Sequence, residues 1–156
     1  MTQADNLYEF TGTDCESGSV DINPRNRHAS AQPDTNYVAA GLEAGYIVQR
    51  SDLVSTQIQL ADDASEDWRG VLIEDQLLQA DGNYNRDIPL TYTTDGQIRG
   101  YAGEALAVDI LVCSDATGRF RPYVDGVDDV RSLMGRTKSS CTAAGEIVEV
   151  ALEGGG

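Results

Sequence analysis

Ala144-Gly-Glu-Ile-Val-Glu-Val-Ala-Leu152 ends the last third of the chain, a region of short apolar runs separated by turns. Its apolar side chains partly alternate and are largely β-branched, as in a strand with one buried face. Further upstream, Asp115-Ala-Thr-Gly118 separates the apolar run Tyr101–Val112 from Phe120–Tyr123, which is a hairpin signal. The region therefore predicts a scaffold of short antiparallel strands.

The preceding part of the chain continues this pattern. About eight short strands, with turns every ~8–12 residues and little helix, are typical of an all-β sandwich or barrel. We therefore predict an all-β fold, a small β-barrel or sandwich with an irregular N-terminal arm. Asp95-Gly96 predicts a tight turn, Asp125–Ser132 a short helical turn, and Pro89 suits an edge strand. The further predicted strands are Tyr46–Val48, Thr56–Leu60, Trp68–Glu74, Ile88–Thr94 and Gln97–Arg99.

Residues 1–36 are polar and lack periodicity, which predicts an N-terminal arm or extended segment. No core element is expected between Asn23 and Asp34, a stretch that contains two prolines. Two interpretations stay open: a mobile tail, or an arm that orders on a neighbouring subunit. The β-domain is predicted over 37–153, followed by a flexible glycine tail at 154–156.

The charge balance is strongly acidic. The chain has 26 Asp and Glu residues against 11 Lys and Arg, a net charge of −15, and Lys138 is its only lysine. Such a surface repels phosphates, so nucleic acid is not an expected partner. No apolar run reaches the length of about 18 residues that a membrane helix needs, so no membrane is expected either. The surface suits a protein of concentrated salt, where the Debye length falls to about 3 Å, or an ordinary acidic protein.

Residues for catalysis and metal binding are scarce. His28 is the only histidine, which excludes a multi-histidine metal site and leaves any Ser-His-Asp or Cys-His arrangement dependent on one loop residue. The cysteines Cys15, Cys113 and Cys141 form no Cys-x-x-Cys motif. Cys113 is expected as a buried thiol, with a Cys113–Cys141 bridge as an alternative. We expect no cofactor, no metal and no enzyme activity.

One segment resembles the start of a calcium-binding loop. Asp81-Gly-Asn-Tyr-Asn-Arg-Asp87 has the Asp-x-Asn-x-Asn spacing, but Arg86 replaces the required glycine, and Tyr92 stands where glutamate is needed. An ordinary Asn/Asp/Gly turn is the better interpretation.

Tyrosine is the candidate contact residue of this chain. Seven tyrosines against two phenylalanines indicate either the rim of a β-fold or a subunit interface, since tyrosine combines an apolar ring with a polar end. Two arginines of the N-terminal arm are candidates for reaching an acidic neighbour. The predicted capsid or subunit contact residues are Arg25, Arg27, Tyr84, Tyr92, Tyr101 and Tyr123.

Taken in order, several strand and turn motifs suggest a family. They are Gly41–Val48, Trp68–Leu72, Ala102–Val112, Asp115–Tyr123, Met134–Thr137 and Thr142–Leu152. Over residues 41–152 this order resembles the head decoration (capsid cement) proteins of tailed viruses. With the acidic surface, the chain looks most like the decoration protein of a haloarchaeal tailed virus. The segment before Gly41 and the insertion at Asp75–Asp87 depart from the family pattern.

The resemblance implies a structural virion protein without enzyme activity. Its expected place is the outer capsid surface, its partner the major capsid protein, and its state a homo-oligomer, often a trimer. It would stabilise the shell at junctions between major capsid subunits, because bridging contacts oppose the separation of those subunits. The alternative is a receptor-binding or adhesion β-domain of a virion spike, turret or fibre.

Overall fold

The computed structural model describes residues 26–34, 42–85 and 87–153. They form one curled antiparallel sheet whose strands follow the order β3-β2-β4-β5-β9-β8-β6-β7, while β1 pairs with β5 outside this path. The strands are β1 (Arg27–Ala31), β2 (Ile47–Arg50), β3 (Ile58–Leu60), β4 (Trp68–Leu72), β5 (Leu90–Tyr101), β6 (Leu111–Ser114), β7 (Phe120–Pro122), β8 (Gly135–Thr137) and β9 (Ile147–Leu152), with one 3-10 turn at Val130–Ser132. The predicted all-β class is confirmed.

β5 is the axis of the sheet. Its first part pairs with β1 and β4, and its second part pairs with β9 from Gly96 to Tyr101. The predicted tight turn at Asp95-Gly96 is therefore wrong, because the strand continues through it. Gly96 has a φ of 108°, a left-handed conformation that glycine adopts readily. Arg27 pairs with Asp95 and His28 with Thr93, so a β-bulge lies at Thr94, just before Asp95-Gly96, and the chain does not reverse there.

The N-terminal half of the sheet comprises β1–β4 and the first part of β5. Directly after β1 the chain runs beside β3, where Asp34 N donates to Ile58 O (2.7 Å) and Ile58 N donates to Gln32 O (2.9 Å). The buried Asp34 carboxylate also accepts a hydrogen bond from Ser51 Oγ. These bonds hold the segment after β1 against β3, the terminal strand of the sheet, and nearly close the N-terminal half.

The segment between Asn23 and Asp34, predicted as a loop or an extended arm without a core element, contains the strand β1. β1 is polar and mostly exposed, so its sequence carries no strand pattern. Its backbone nevertheless pairs along β5, from Ala31 with Leu90 to Arg27 with Asp95. Residues 1–25, 35–41, 86 and 154–156, which include the predicted glycine tail, lie outside the described part of the chain.

The C-terminal half comprises β6–β9 and the second part of β5. β6 and β7 form the predicted hairpin, with Ser114 opposite Phe120. Phe120 then bridges to Ala102 just after β5, so this half is nearly closed as well. The apolar run before β6 is not a strand, contrary to expectation, because Asp109 at a φ of 65° interrupts an extended chain.

Each half packs around its own group of apolar side chains. The N-terminal half encloses Leu42, Val48, Ile58, Leu72, Leu90 and Tyr92, with Ala29, Ala31 and Leu60 packed against them. The C-terminal half contributes Ile98, Ala102, Leu106, Val112, Phe120, Met134, Cys141, Val148, Val150 and Leu152 to the other group. Ile47, Ala61, Trp68 and Val71 complete that second group, so the opposite faces of β2 and β4 join the two halves.

Candidate interaction surface

The described residues contain no group of three or more His, Cys, Asp or Glu side chains placed to hold a metal ion. His28 is exposed on β1, and its Nδ1 lies 3.1 Å from Thr93 Oγ1 on β5. In the Asp81–Asp87 segment, Asn83 N donates to Asp81 Oδ1 and Asp87 N donates to Asn85 Oδ1, both at 3.0 Å. These bonds are Asx turns, so the side-chain oxygens cap the local backbone as in an ordinary turn.

Cys113 and Cys141 are free, buried thiols. Burial raises the pKa of the Cys113 thiol to about 12, which keeps it protonated at neutral pH. The expected buried thiol at Cys113 is thus confirmed. Cys15 lies outside the described residues.

The predicted contact residues fall at different places. Arg27 is exposed at the start of β1, opposite Asp95 of β5, while Arg25 lies outside the described residues. Tyr92 is buried in the core of the N-terminal half, and its burial raises the pKa of its hydroxyl. In the isolated chain Tyr92 therefore supports the core and presents little area to a partner.

Tyr84 and Tyr101 are brought together by the fold, although 17 positions separate them in the sequence. Both line a surface cleft of about 430 Å³. The other lining residues are Leu42, Glu43, Ala44, Asp75, Gln76 and Leu78. This cleft combines aromatic rings with acidic rims, and the sequence pattern did not link its two sides.

Tyr101 also belongs to a small aromatic group next to the cleft. Its ring centroid lies 5.0 Å from that of Tyr46, with an angle of 47° between the planes. The Arg119 guanidinium carbon lies 5.9 Å from the Tyr46 ring centroid, which is the reach of a cation–π contact. These contacts connect the β6–β7 turn to the entry of β2 and hold Tyr101 in place.

Tyr123 opens an acidic loop that follows β7, Tyr123–Arg131, which we call the valine loop. The Tyr123 hydroxyl donates to Asp128 O at 3.2 Å. Partial burial and the nearby carboxylates of Asp125, Asp128 and Asp129 raise the pKa of Tyr123. Its phenol is thus used to brace the loop.

Arg121 of β7 anchors the valine loop. Its Nη1 and Nη2 donate to both carboxylate oxygens of Asp128 at 2.9 and 2.8 Å, and its Nε donates to Asp63 at 2.7 Å. The exposed fractions are 17% for the Arg121 side chain and 7% for that of Asp128, so this bidentate pair is shielded from water. The Arg121 guanidinium lowers the pKa of Asp128 to about 2.

A second set of bonds fixes the far end of the valine loop. Asp129 caps the 3-10 turn by accepting from Arg131 N at 2.8 Å, and Trp68 Nε1 donates to Arg131 O at 3.2 Å. The short predicted helical turn is therefore present, but only over Val130–Ser132. Arg131 also pairs with Glu66 at 2.6 Å, which links the loop to the turn before β4.

The valine loop exposes apolar side chains, although it is held at both ends. The exposed fractions are 46% for Val124, 78% for Val127 and 71% for Val130. Sequence analysis does not place these valines among the candidate contact residues. The sequence signal that these residues share is a spacing of three positions within an acidic loop.

Comparison with known proteins gives a structural similarity and no sequence family. Neither a protein-family model nor a curated protein sequence matches the chain. Among solved structures, the chain is similar to the N base of the head fiber gp8.5 in bacteriophage phi29, with a TM-score of 0.55 and 14% sequence identity. The similarity covers 82% of this chain and 94% of the phage chain. At this identity it establishes a shared fold.

No helix among the described residues is long and apolar enough to cross a bilayer.

Proposed function

We propose that this protein is a structural component of the head of a tailed virus. The observation that carries the proposal is the fold shared with a phage head-fibre base over 82% of this chain and 94% of the other. The resemblance of the strand and turn motifs to capsid decoration proteins points to the same class. The braced loops and exposed valines supply contacts for a protein partner, and sequence analysis offers no catalytic motif.

In this proposal the protein binds the outer surface of the capsid shell through the major capsid protein and stabilises the junctions between its subunits. Many equivalent sites, each filled by a protein that bridges two subunits, raise shell stability by mass action. We further propose a homo-oligomer, with three copies as the family resemblance implies. The test of that state is light scattering of the purified protein at several concentrations.

The second candidate is the base of a head fibre or spike that carries a receptor-binding part. The specific observation in its favour is that the similar solved structure is itself a fibre base. Copy number separates the two candidates, because decoration needs hundreds of copies per head and a spike needs a few dozen or fewer. Quantitative mass spectrometry of purified particles measures it, and absence of the chain from particles would contradict both.

The salt habitat follows from the charge and belongs to the same proposal. With a net charge of −15, carboxylate repulsion opposes folding at low salt and is screened at molar salt. We expect the melting temperature to rise between 0.1 and 3 M KCl in a haloarchaeal virus protein. A melting temperature that stays level or falls would assign the chain to a low-salt host.

A further inference from the structure

We propose that the valine loop is the surface with which the protein binds the capsid shell, and that it docks on an apolar depression rimmed by Arg or Lys of the major capsid protein. The inference rests on the proposed function and names the contact surface for it. The residues that carry it are Val124, Val127 and Val130, together with the carboxylates around them.

The first step is the unusual exposure of the valines. Val127 and Val130 are 78% and 71% exposed, the largest exposed fractions among the large apolar side chains of the described residues. Val127 N donates to Val124 O at 3.1 Å, so these two residues stand on one tight turn, and Val130 follows three residues later in the same loop. Apolar side chains grouped on a surface mark sites that another protein covers.

The second step is that the patch is preorganised. The bidentate Arg121–Asp128 pair and the Val124 N bond to Asp128 Oδ2 (2.8 Å) hold the start of the loop. The bond from Trp68 to Arg131 O holds its end. A surface fixed before binding loses little conformational entropy in the complex, so the exposed valines contribute more of their burial energy to affinity.

The third step is the charge around the patch, which decides the partner. Residues 62–67 and 121–131 carry seven carboxylates and two arginines, a net charge of −5. The two segments touch through Arg121–Asp63 and Arg131–Glu66 contacts of 2.7 and 2.6 Å. In direct contact, where salt screens least, these carboxylates pair with basic side chains of a partner, whereas the same face of a second copy would bring carboxylates together. The occupant is therefore a different, basic protein, which on the proposed function is the capsid subunit.

The test measures binding of the full chain to heads from which the protein has been removed. Val127→Ser with Val130→Ser is the main variant, and Val108→Ser is the matched control, because Val108 is a 55%-exposed valine on another loop. We expect the double variant to weaken binding by about tenfold or more, because both valines become buried in the complex. The control should change binding by less than about twofold. Melting curves verify that each variant is folded.

A charge-reversal pair sharpens the test. Asp125→Lys changes an exposed residue of the valine loop, and Glu104→Lys changes an exposed residue elsewhere. Each replaces a carboxylate by an ammonium group, so the two change the net charge equally. We expect Asp125→Lys to weaken head binding by about threefold or more and Glu104→Lys to leave it near the wild-type value. Equal effects of the two would overturn the assignment of the basic partner to this loop.

The outcomes separate the inference from the function it rests on. Failure of the wild-type chain to bind heads overturns the proposed function and the inference together. Wild-type binding with an unaffected double valine variant, or an equal loss in Val108→Ser, overturns the inference alone. A wild-type oligomer that the double valine variant converts to monomers shows the loop to be a self-interface, which also overturns the inference.

Discussion

The two halves of the sheet share β5 but are closed by different means. The C-terminal half is closed by β7, whose Phe120 is fully buried in the core and bridges to Ala102. The N-terminal half is closed by β1, which is polar, mostly exposed and contributes only two alanines to the apolar core. One closure is thus made by side-chain burial and the other mainly by backbone pairing to the axis strand.

The comparison shows why a strand is not always visible as a pattern. A strand held by its own apolar face shows alternation, whereas a strand held by a neighbour's hydrogen-bonding edge needs only an extended backbone. β1 belongs to the second kind, and its role became clear only from its register with β5.

Removal of β1 is expected to have the largest effect on stability, because it opens the N-terminal half. Deletion of residues 1–36 takes away the strand and the Asp34 bonds to Ile58 and Ser51, so the core of the N-terminal half is exposed. We expect the melting temperature to fall by at least about 15 °C. Deletion of residues 1–25 is the control, since it keeps Asn26–Asp34, and it is expected to melt close to the full chain. Equal melting temperatures for the two truncations would show that β1 does not support the fold.

Truncation of Phe120 tests the other closure. Phe120→Ala leaves a cavity in the core of the C-terminal half, and we expect the free energy of unfolding to fall by about 3–5 kcal/mol. Urea unfolding measures it, with the exposed Val127→Ala expected within about 0.5 kcal/mol of the wild type. A single transition in Phe120→Ala would indicate that the halves unfold together through β5, whereas two transitions would separate them.

The Arg121–Asp128 pair tests how the valine loop is attached to the C-terminal half. Arg121→Met leaves a shielded carboxylate without its partner, so we expect a loss of about 3 kcal/mol at pH 7 in urea unfolding. The matched control is Arg136→Met, whose pair with Asp109 is 3.6 Å long with the arginine 40% exposed, and which should change stability by about 0.5 kcal/mol or less. Similar losses in both variants would contradict the anchoring role of Arg121.

The same pair predicts an acid dependence. Arg121 lowers the pKa of Asp128 to about 2, below the unfolded value of about 3.9. The ionised carboxylate therefore stabilises the fold above about pH 4, and this contribution disappears as the pH falls through about 2. Asp128→Asn should flatten the decline of the unfolding free energy between these pH values. A decline as steep as that of the wild type would show that other carboxylates cause it.

The smallest expected effect comes from a substitution at Gly96, where β5 passes from one half to the other. Gly96→Ala places a Cβ at a φ of 108° against the Asn26 side chain, whereas Gly82→Ala at a φ of 83° meets open space. An alanine at a positive φ costs about 1 kcal/mol, and we expect about 1 kcal/mol more at Gly96, where the added Cβ would also meet Asn26. Equal destabilisation in thermal melts would mean that Asn26 moves aside without loss.

The candidate contact surface was less predictable than the fold. The sequence indicated tyrosines as contact residues because of their chemistry, yet burial assigns Tyr92 to the core and hydrogen bonding assigns Tyr123 to bracing a loop. Tyr84 and Tyr101 meet in one cleft only because the folded sheet brings the segment between β4 and β5 beside the end of β5. Exposure, which singles out Val127, depends on all neighbouring elements at once, so the regular spacing of the valines does not predict it alone.

By itself the sequence determined the all-β class, the β6–β7 hairpin, the buried thiol at Cys113 and the acidic charge, because each depends on residue type or on contacts between near neighbours in the chain. The tertiary structure alone decided that β5 continues through Asp95-Gly96, that β1 closes the N-terminal half, and that the valine loop is braced and exposed. These features join residues up to 71 positions apart, as in the bond between Asn26 and Gln97. Such pairings are chosen by the free energy of the whole sheet, in which a local preference for a turn or a loop is one small contribution.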